Sequence, residues 1–468
     1  MNPRMKEIIY PTLDLFLYDL RNGAGETLEE IQENRQIFQQ KLPESVRQIL
    51  FQFDNDFEVE YAELLSKPKT KRFEDNREDF PVEGYYYPVR LGDTYGLLVD
   101  CSVNNQTDPQ PPESFALLKA EIEEKRILKQ TATIGQTWMI SAQVPNADPA
   151  EIEDIAKACY QALMPDLNWE QDLVGAGYFL EGFIFELSRY RVKISEDNTA
   201  ITSIDNIQEN QHVIIVLYPD EAAAKVAARY YSDWMRLFYY RHKILWCYGQ
   251  SRVLKQSLKR YLVTIQNSIK FTKKNDKKGL QLKEISQQLE QVQSTLSPYS
   301  IELTYLDFQI RSIDINLSNY KKRWETISAK AGEAAEISFL QEFSELAEDK
   351  YLLQINKDYD NLKLGLSLLD SSINTLRSRV EVEEAKRDRT FQNAVAIIGV
   401  GFSASSLLDS LPKNSAGYSD PVRYLLVNYL QVPSPWLNAA TGFVYELAVA
   451  FVAGGLTWLV IRFWPKSE

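Results

Sequence analysis

From Phe391 to Leu408 the sequence reads FQNAVAIIGVGFSASSLL, with Asp409 immediately after. At ~1.5 Å per residue a helix over this stretch is roughly 27 Å long, about the thickness of a bilayer core. A second apolar stretch, 437–464, contains LAVAFVAGGLTWLVIRF, with Trp436, Tyr445, Trp458 and Trp464 as interfacial aromatics. Two transmembrane helices are therefore predicted, at 391–408 and 437–464, joined by an external loop at 409–436 and followed by a tail at 465–468. Lys386, Arg387 and Arg389 precede the first span, and Arg462 and Lys466 flank the end of the second. In the loop, Lys413 and Arg423 are balanced by Asp409 and Asp420. The positive-inside rule then puts both termini in the cytoplasm and the chain, as a multi-pass protein, in the inner (plasma) membrane.

Small residues recur within the spans. Gly399 and Ser403 are four apart, as are Ala450 and Gly454. That spacing lets helices approach closely in lipid, although small residues are common in membrane helices in any case. Glu446 is the one ionisable side chain well inside either span, near its outer end, where it reads either as a pore-lining carboxylate or as an interfacial one. Ser403, Ser405, Ser406, Thr441 and Thr457 are the other polar positions, sufficient for a narrow pore. The loop segment PVRYLLVNYLQV suits a short helix lying on the outer face.

Upstream, Leu352, Ile355, Tyr359, Leu362, Leu366, Leu369, Ile373, Leu376 and Val380 alternate spacings of three and four. This is the heptad pattern of a coiled-coil seam. Leu303, Leu306, Ile310, Ile313, Leu317, Tyr320 and Trp324 repeat it. So do Leu282, Ile285, Leu289, Val292 and Leu296, a run expected to end at Ser297-Pro298. A helical coiled-coil stalk over 220–390 follows, its last helix continuing into the first span. Such a seam arises in a homo-oligomer and equally in an intramolecular bundle.

Residues 1–219 read as a mixed α/β cytosolic head, so the fold class is α+β with a helical stalk and two C-terminal transmembrane helices. A strand is expected over Asp14–Leu20, then Gly23-Ala24-Gly25 and an amphipathic helix over Glu26–Leu42. Strands over Gly84–Leu91 and Tyr95–Ser102 flank Gly92-Asp93-Thr94, with Pro88 marking an edge. Lys67–Asp79 is charge-rich and reads as a loop. Helices over Pro112–Lys129 and Pro149–Leu163 and strands over Thr137–Val144, Tyr178–Leu187 and His212–Tyr218 complete the head. Asp220, after Pro219, opens a helix reaching to about Phe271.

That helix is the one basic region of a chain whose net charge is −13: Asp220–Lys278 holds 14 Lys and Arg against 4 Asp and Glu. Aromatics interleave with the cations, making Arg236, Tyr240, Arg241, Lys243, Trp246 and Arg252 candidates for a small anionic or nucleotide ligand. The alternative is that the rings are core and the cations meet the acidic head or a neighbouring subunit. The overall acidity argues against general nucleic-acid binding. Cys101, Cys159 and Cys247 form no CxxC pair, and two histidines make no metal centre, so neither a disulfide framework nor a metal site is expected. No Walker A, HExxH, GxSxG or EF-hand motif occurs, no signal peptide is visible, and no cofactor is indicated. The chain is not expected to be an enzyme.

The order of head, long helices, stalk, span, loop, span and basic tail resembles the CorA-type metal-ion channels, most strongly over Leu352–Glu468. Those channels end their first span in Gly-Met-Asn, and this sequence has no methionine after Met235. The loop is also longer than is usual there, so no selectivity residues carry over. The resemblance implies a homo-oligomeric pore whose head senses a ligand. One variant is similar to the CorA-related membrane effectors of bacterial antiviral systems, which are opened by a small nucleotide. The alternative function is a non-conducting, membrane-anchored coiled-coil scaffold that tethers cytosolic partners.

Overall fold

Alternation along Ile8–Leu20 makes the central strand, β1, two-faced. Leu13, Leu15 and Leu17 point into one apolar core, while Asp14, Phe16 and Tyr18 point to the other side. The computed structural model describes residues 7–23, 26–50, 60–76, 80–145, 147–192, 208–274, 282–332 and 335–384. The expected spans at 391–408 and 437–464, with Gly399, Ser403, Glu446, Ala450 and Gly454, lie outside the described residues, as does the loop between them. Among the described residues no helix is long and apolar enough to cross a membrane.

After β1 come α1 (Leu28–Gln40), α2 (Glu44–Arg47), β2 (Tyr61–Glu63), β3 (Lys71–Asp75), β4 (Val82–Leu91), β5 (Thr94–Val103) and β6 (Pro109–Gln110). Then follow α3 (Ser114–Glu121), β7 (Gly135–Gln143), α4 (Pro149–Leu163), α5 (Trp169–Asp172), β8 (Leu173–Phe179), β9 (Gly182–Val192) and β10 (Gln208–Tyr218). The strands form one sheet in the order β2-β4-β5-β1-β7-β10-β9-β8, with β3 paired to β4 and β6 to β1. Only the β7–β10 pairing is parallel among these strands. Phe38 of α1, Phe115 and Leu118 of α3, and Ile152 and Cys159 of α4 cover the leucine face of β1 and its neighbours.

The helical part comprises α6 (Glu221–Ala227), α7 (Tyr231–Lys274), α8 (Leu282–Ala331), α9 (Phe339–Leu346) and α10 (Leu353–Glu384). Asp220 caps α6 by accepting from the Ala223 amide at 2.9 Å. The single helix expected from Asp220 is interrupted by a 3-10 turn at Ala228–Tyr230 before α7 begins. The N-terminal half of α7 covers the second face of the sheet: Phe238 packs edge-on against Phe16 at 5.1 Å, and Tyr18 donates to the Met235 carbonyl at 2.8 Å.

Contacts divide the chain into two units, and the division does not fall at 219/220. The first contains the sheet, α7 to Lys259, and residues 301–363. Its helices are tied together by Tyr320 donating to the Leu340 carbonyl at 2.7 Å and Trp324 to the Ile337 carbonyl at 3.0 Å. The aromatic face of α7 joins the head because it is the lid of the sheet's second core. The described part of the second unit is three helical stretches, 260–274, 282–300 and 364–384. Ile265, Ile285, Val292, Leu369, Ile373, Leu376 and Val380 are buried there. The heptad residues among these are thus covered within a single chain. At Gly365 any β-carbon would overlap the buried Tyr299 hydroxyl and Leu262. Gly365→Ala is expected to destabilise by ~1–3 kcal/mol through overpacking, although helix propensity alone would favour alanine by about 1 kcal/mol. Thermal unfolding of the purified chain reads this directly, and an unchanged or raised Tm would mean that Tyr299 gives way.

Four local expectations are corrected. Lys67–Asp79 contains the strand β3, anchored by Phe73, whose ring meets Tyr86 at 5.3 Å and the Arg126 guanidinium at 4.0 Å. Its charges are those of a guarded sheet edge. Pro88 is not at an edge: β4 pairs with β5 on one side and with both β2 and β3 on the other, and Pro88 lies opposite the gap between those two short strands. The strand expected over Tyr178–Leu187 is a hairpin, β8–β9, turning at Leu180-Glu181 with φ of 50° and 66°. Finally, Pro298 does not end a helix; α8 passes through it. Proline removes one backbone hydrogen bond there, and burial of Val292 and Tyr299 on either side outweighs the loss.

Candidate functional site

Arg236, Tyr240, Arg241, Lys243, Trp246 and Arg252 all lie on α7, and the fold distributes them over separate partners. The Arg236 guanidinium stacks 4.1 Å from the Tyr61 ring. Tyr240 donates to Glu60 Oε1 at 3.2 Å. Lys243 donates to Asp93 Oδ2 at 2.8 Å and sits 4.6 Å from the Trp246 ring centroid. Arg252 and Lys255 grip the two oxygens of Asp358, each at 2.6 Å. Rings and carboxylates of the chain itself occupy these cations, so they do not converge on one place where a phosphate could sit.

Arg241 is buried beneath the sheet's second face in a polar network that includes both histidines of the chain. Its Nη1 is 3.6 Å from Glu186 Oε1, its Nη2 donates to Ser188 Oγ at 2.6 Å, and its guanidinium lies 4.2 Å from the Phe343 ring. The heavy-atom positions admit one consistent proton order. Asn210 Nδ2 donates to His242 Nδ1 at 3.1 Å, and His242 Nε2 donates to Thr137 Oγ1 at 2.8 Å. The Thr137 hydroxyl donates to His212 Nδ1 at 2.8 Å, and His212 Nε2 donates to Glu186 Oε1 at 3.2 Å. Burial, then the neighbouring Arg241 charge, hold His212 well below the ordinary histidine range; for His242, burial is followed by His212 and then Arg241. Both rings are neutral and fully engaged.

Open space lies elsewhere on the same face. A cavity of about 420 Å³ opens between the sheet and the α6–α7 segment, entirely within the first unit. Its walls include Tyr10, Tyr85, Tyr218, Tyr231 and Trp234, with Phe73 at the β3 side. Thr12, Glu83, Asp100 and Ser102 supply polar groups from β1, β4 and β5. Tyr10 donates to Glu83 Oε1 at 2.8 Å, and Thr12 and Ser102 share a hydrogen bond of 2.8 Å. Tyr10 stands at a register shift between Ile9 and Thr12 with φ of 49°, a left-handed backbone that β-region sterics disfavour for tyrosine. The bulge thus accompanies placement of the Tyr10 ring in the cavity wall, and strained backbone of this kind concentrates at binding sites.

Behind the cavity Asp14 stands opposite Asp100 in the β1–β5 register, 0% exposed, and accepts from Tyr231 at 2.8 Å. Among the described residues no Lys or Arg pairs with Asp14, Glu83 or Asp100, and Asp14 Oδ1 has no N–H or O–H partner. Burial is the main reason both aspartates hold their protons tightly. Asp14 is raised well above the carboxylate range, with the Asp100 charge adding to the effect. Asp100 is pushed up to about 7, partly offset by its hydrogen bond with Asp14 and reinforced by Glu83. With the two carboxyls facing each other, ionising one opposes ionising the other. Among the described residues no set of three His, Cys, Asp or Glu is placed to hold a metal ion.

These cavity residues escaped the sequence reading because they come from β1, β3, β4, β5, β7, β10 and α6–α7. One signal was present: Asp14 and Asp100 are charged residues inside otherwise apolar strands, a costly placement that needs a reason.

No protein-family model matches the chain, and no curated protein matches it. Among solved structures it is similar to the CorA magnesium transporter from Methanocaldococcus jannaschii, with 12% identity over 70% of this chain and 91% of that one, at a TM-score of 0.15. The likeness is architectural and weak. A TM-score of that size carries no argument about this chain's activity.

Proposed function

We propose that this chain is a homo-oligomeric, membrane-anchored receptor, in which a small molecule held in the head cavity controls a pore built by the C-terminal apolar segments. The observation that carries the reading is the cavity itself, walled by the start of α7 and floored by carboxyls that no cation among the described residues neutralises. The anchor rests on the sequences 391–408 and 437–464 and their basic flanks, which set both termini on the cytoplasmic side of the inner membrane. The protein acts by binding rather than catalysis. Because the cavity offers carboxyls where a nucleotide would need guanidinium groups, the reading is a ligand-gated pore without a nucleotide signal.

Light scattering on the detergent-purified chain, corrected for bound detergent, is the first test. A single closed ring of chains is expected; a monomer has too few spans to line a pore and would leave the anchored scaffold as the function. Within the pore reading, Glu446→Ala is expected to change ion flux through liposomes holding the full chain. Flux identical to that of the unaltered protein removes Glu446 from the pathway.

A further inference from the structure

We infer that the cavity takes a small primary amine, its ammonium group held by the Glu83 and Asp100 carboxylates and its carbon chain lying against the surrounding tyrosine and tryptophan rings. The inference rests on the receptor reading above and adds the chemical class of the ligand.

The lining selects charge first. Glu83 and Asp100 face the space and Asp14 stands directly behind, with no basic partner for any of them among the described residues. The cationic side chains on the wall, Arg72 and Lys225, are both exposed, and Lys225 is bound to Glu221 at 2.6 Å. An anion entering would meet carboxylates, whereas a cation would supply the counter-charge they lack. The rings point the same way, since aromatic faces attract ammonium groups. The remaining polar groups distinguish among cations. Thr12, Ser102, Ser141, Tyr10 and Tyr85 offer hydroxyl oxygens, and a primary ammonium has three N–H donors to use them, where a quaternary one has none.

Proton linkage follows from the same groups. The charges and titratable side chains around the Asp100 carboxyl are Asp14 and Tyr10 on β1, Glu83 and Tyr85 on β4, Tyr231 on α7, Arg72 and Glu74 on β3, and Glu221 and Lys225 on α6. An ammonium between Glu83 and Asp100 favours the ionised form, so binding near neutral pH releases protons and tightens as the pH rises.

The test is calorimetry on the full-length protein, with putrescine as the amine probe and ATP as the anionic one. Putrescine is expected to bind, with heats that depend on buffer ionisation near pH 7. Asp100→Asn and Glu83→Gln should each weaken it by roughly tenfold or more, as loss of a charge-assisted hydrogen bond does. Ala224→Trp, which fills the cavity from α6 and leaves both carboxyl residues in place, should abolish binding, and exposed Glu33→Gln should leave it unchanged. Putrescine affinity unaltered in all three cavity variants would mean general attraction to an acidic surface and overturn the inference. ATP binding that Ala224→Trp abolishes, without putrescine binding, would overturn the amine while retaining the receptor. If neither probe gives heat that Ala224→Trp removes, the inference falls, and the receptor reading is decided by its own flux and stoichiometry measurements.

Discussion

Arg241→Ala is expected to lower the unfolding free energy of the purified chain by ~3–5 kcal/mol, the usual consequence of leaving one partner of a buried charge pair behind. The partner is Glu186, 1% exposed, with Arg241 Nη1 at 3.6 Å and His212 Nε2 at 3.2 Å. Burial already pushes the Glu186 carboxyl upward, and the guanidinium is what opposes that push. Without Arg241 the carboxylate must either stay charged and unpaired or take up a proton and lose its role as acceptor from His212. The double variant Arg241→Ala with Glu186→Gln removes both charges and keeps an oxygen for the His212 N–H, so most of the loss should return. Urea unfolding of the single and double variants measures the coupling. An Arg241 held in readiness for a ligand would behave differently: the single variant would unfold at nearly the wild-type midpoint, and the second substitution would restore nothing.

That contrast shows why the basic stretch could not be read from sequence alone. Arg236, Arg241, Lys243 and Arg252 have the composition of an anion site, and composition carries no information on whether Glu186, Asp93 or Asp358 will be brought alongside. Those carboxylates come from β9, the β4–β5 turn and α10, so the pairing exists only after the chain folds. Local signals fared better. Asp148 with Pro149 and Glu151 forms a capping box, and α4 runs over Pro149–Leu163 as its pattern predicts. The turn at Gly92-Asp93 joins β4 to β5 where a hairpin was expected. The β8–β9 hairpin stayed hidden because Leu180 and Glu181 occupy left-handed positions normally advertised by Gly or Asn. At Pro298 a strong local stop was overridden by burial of the seam on both sides, as packing often overrides propensity. The cavity is the extreme case, since its residues share a face only through strand order and register.

The buried carboxyls and the buried histidines make opposite demands on pH, and separating them gives the second large effect. His212 and His242 are held well below their ordinary value of 6.5, so below that pH the unfolded chain binds protons that the folded chain does not. Each histidine therefore adds stability at high pH and removes it on acidification, at up to about 1.4 kcal/mol per pH unit below 6.5. Asp14 and Asp100 are raised from 3.8, Asp100 to about 7, so between those values the folded chain holds protons that the unfolded chain has released. Their contribution falls as the pH rises through that window, also at up to about 1.4 kcal/mol per unit each. Between pH 5 and 6.5 the two pairs oppose each other, and the intact protein should show a shallower stability profile there than the histidines alone would give. Asp14→Asn with Asp100→Asn removes the carboxyl half and leaves the histidines unopposed. The double variant should then lose ~2–3 kcal/mol per pH unit on acidification below 6.5, read from urea midpoints at fixed ionic strength. The same substitutions should make it more stable than the parent at pH 8, because the cost of ionising two facing, buried carboxyls is gone. A double variant as flat as the parent would mean that the histidines take up protons in the folded state, and the one-way hydrogen-bond chain from Asn210 to Glu186 would have to be abandoned.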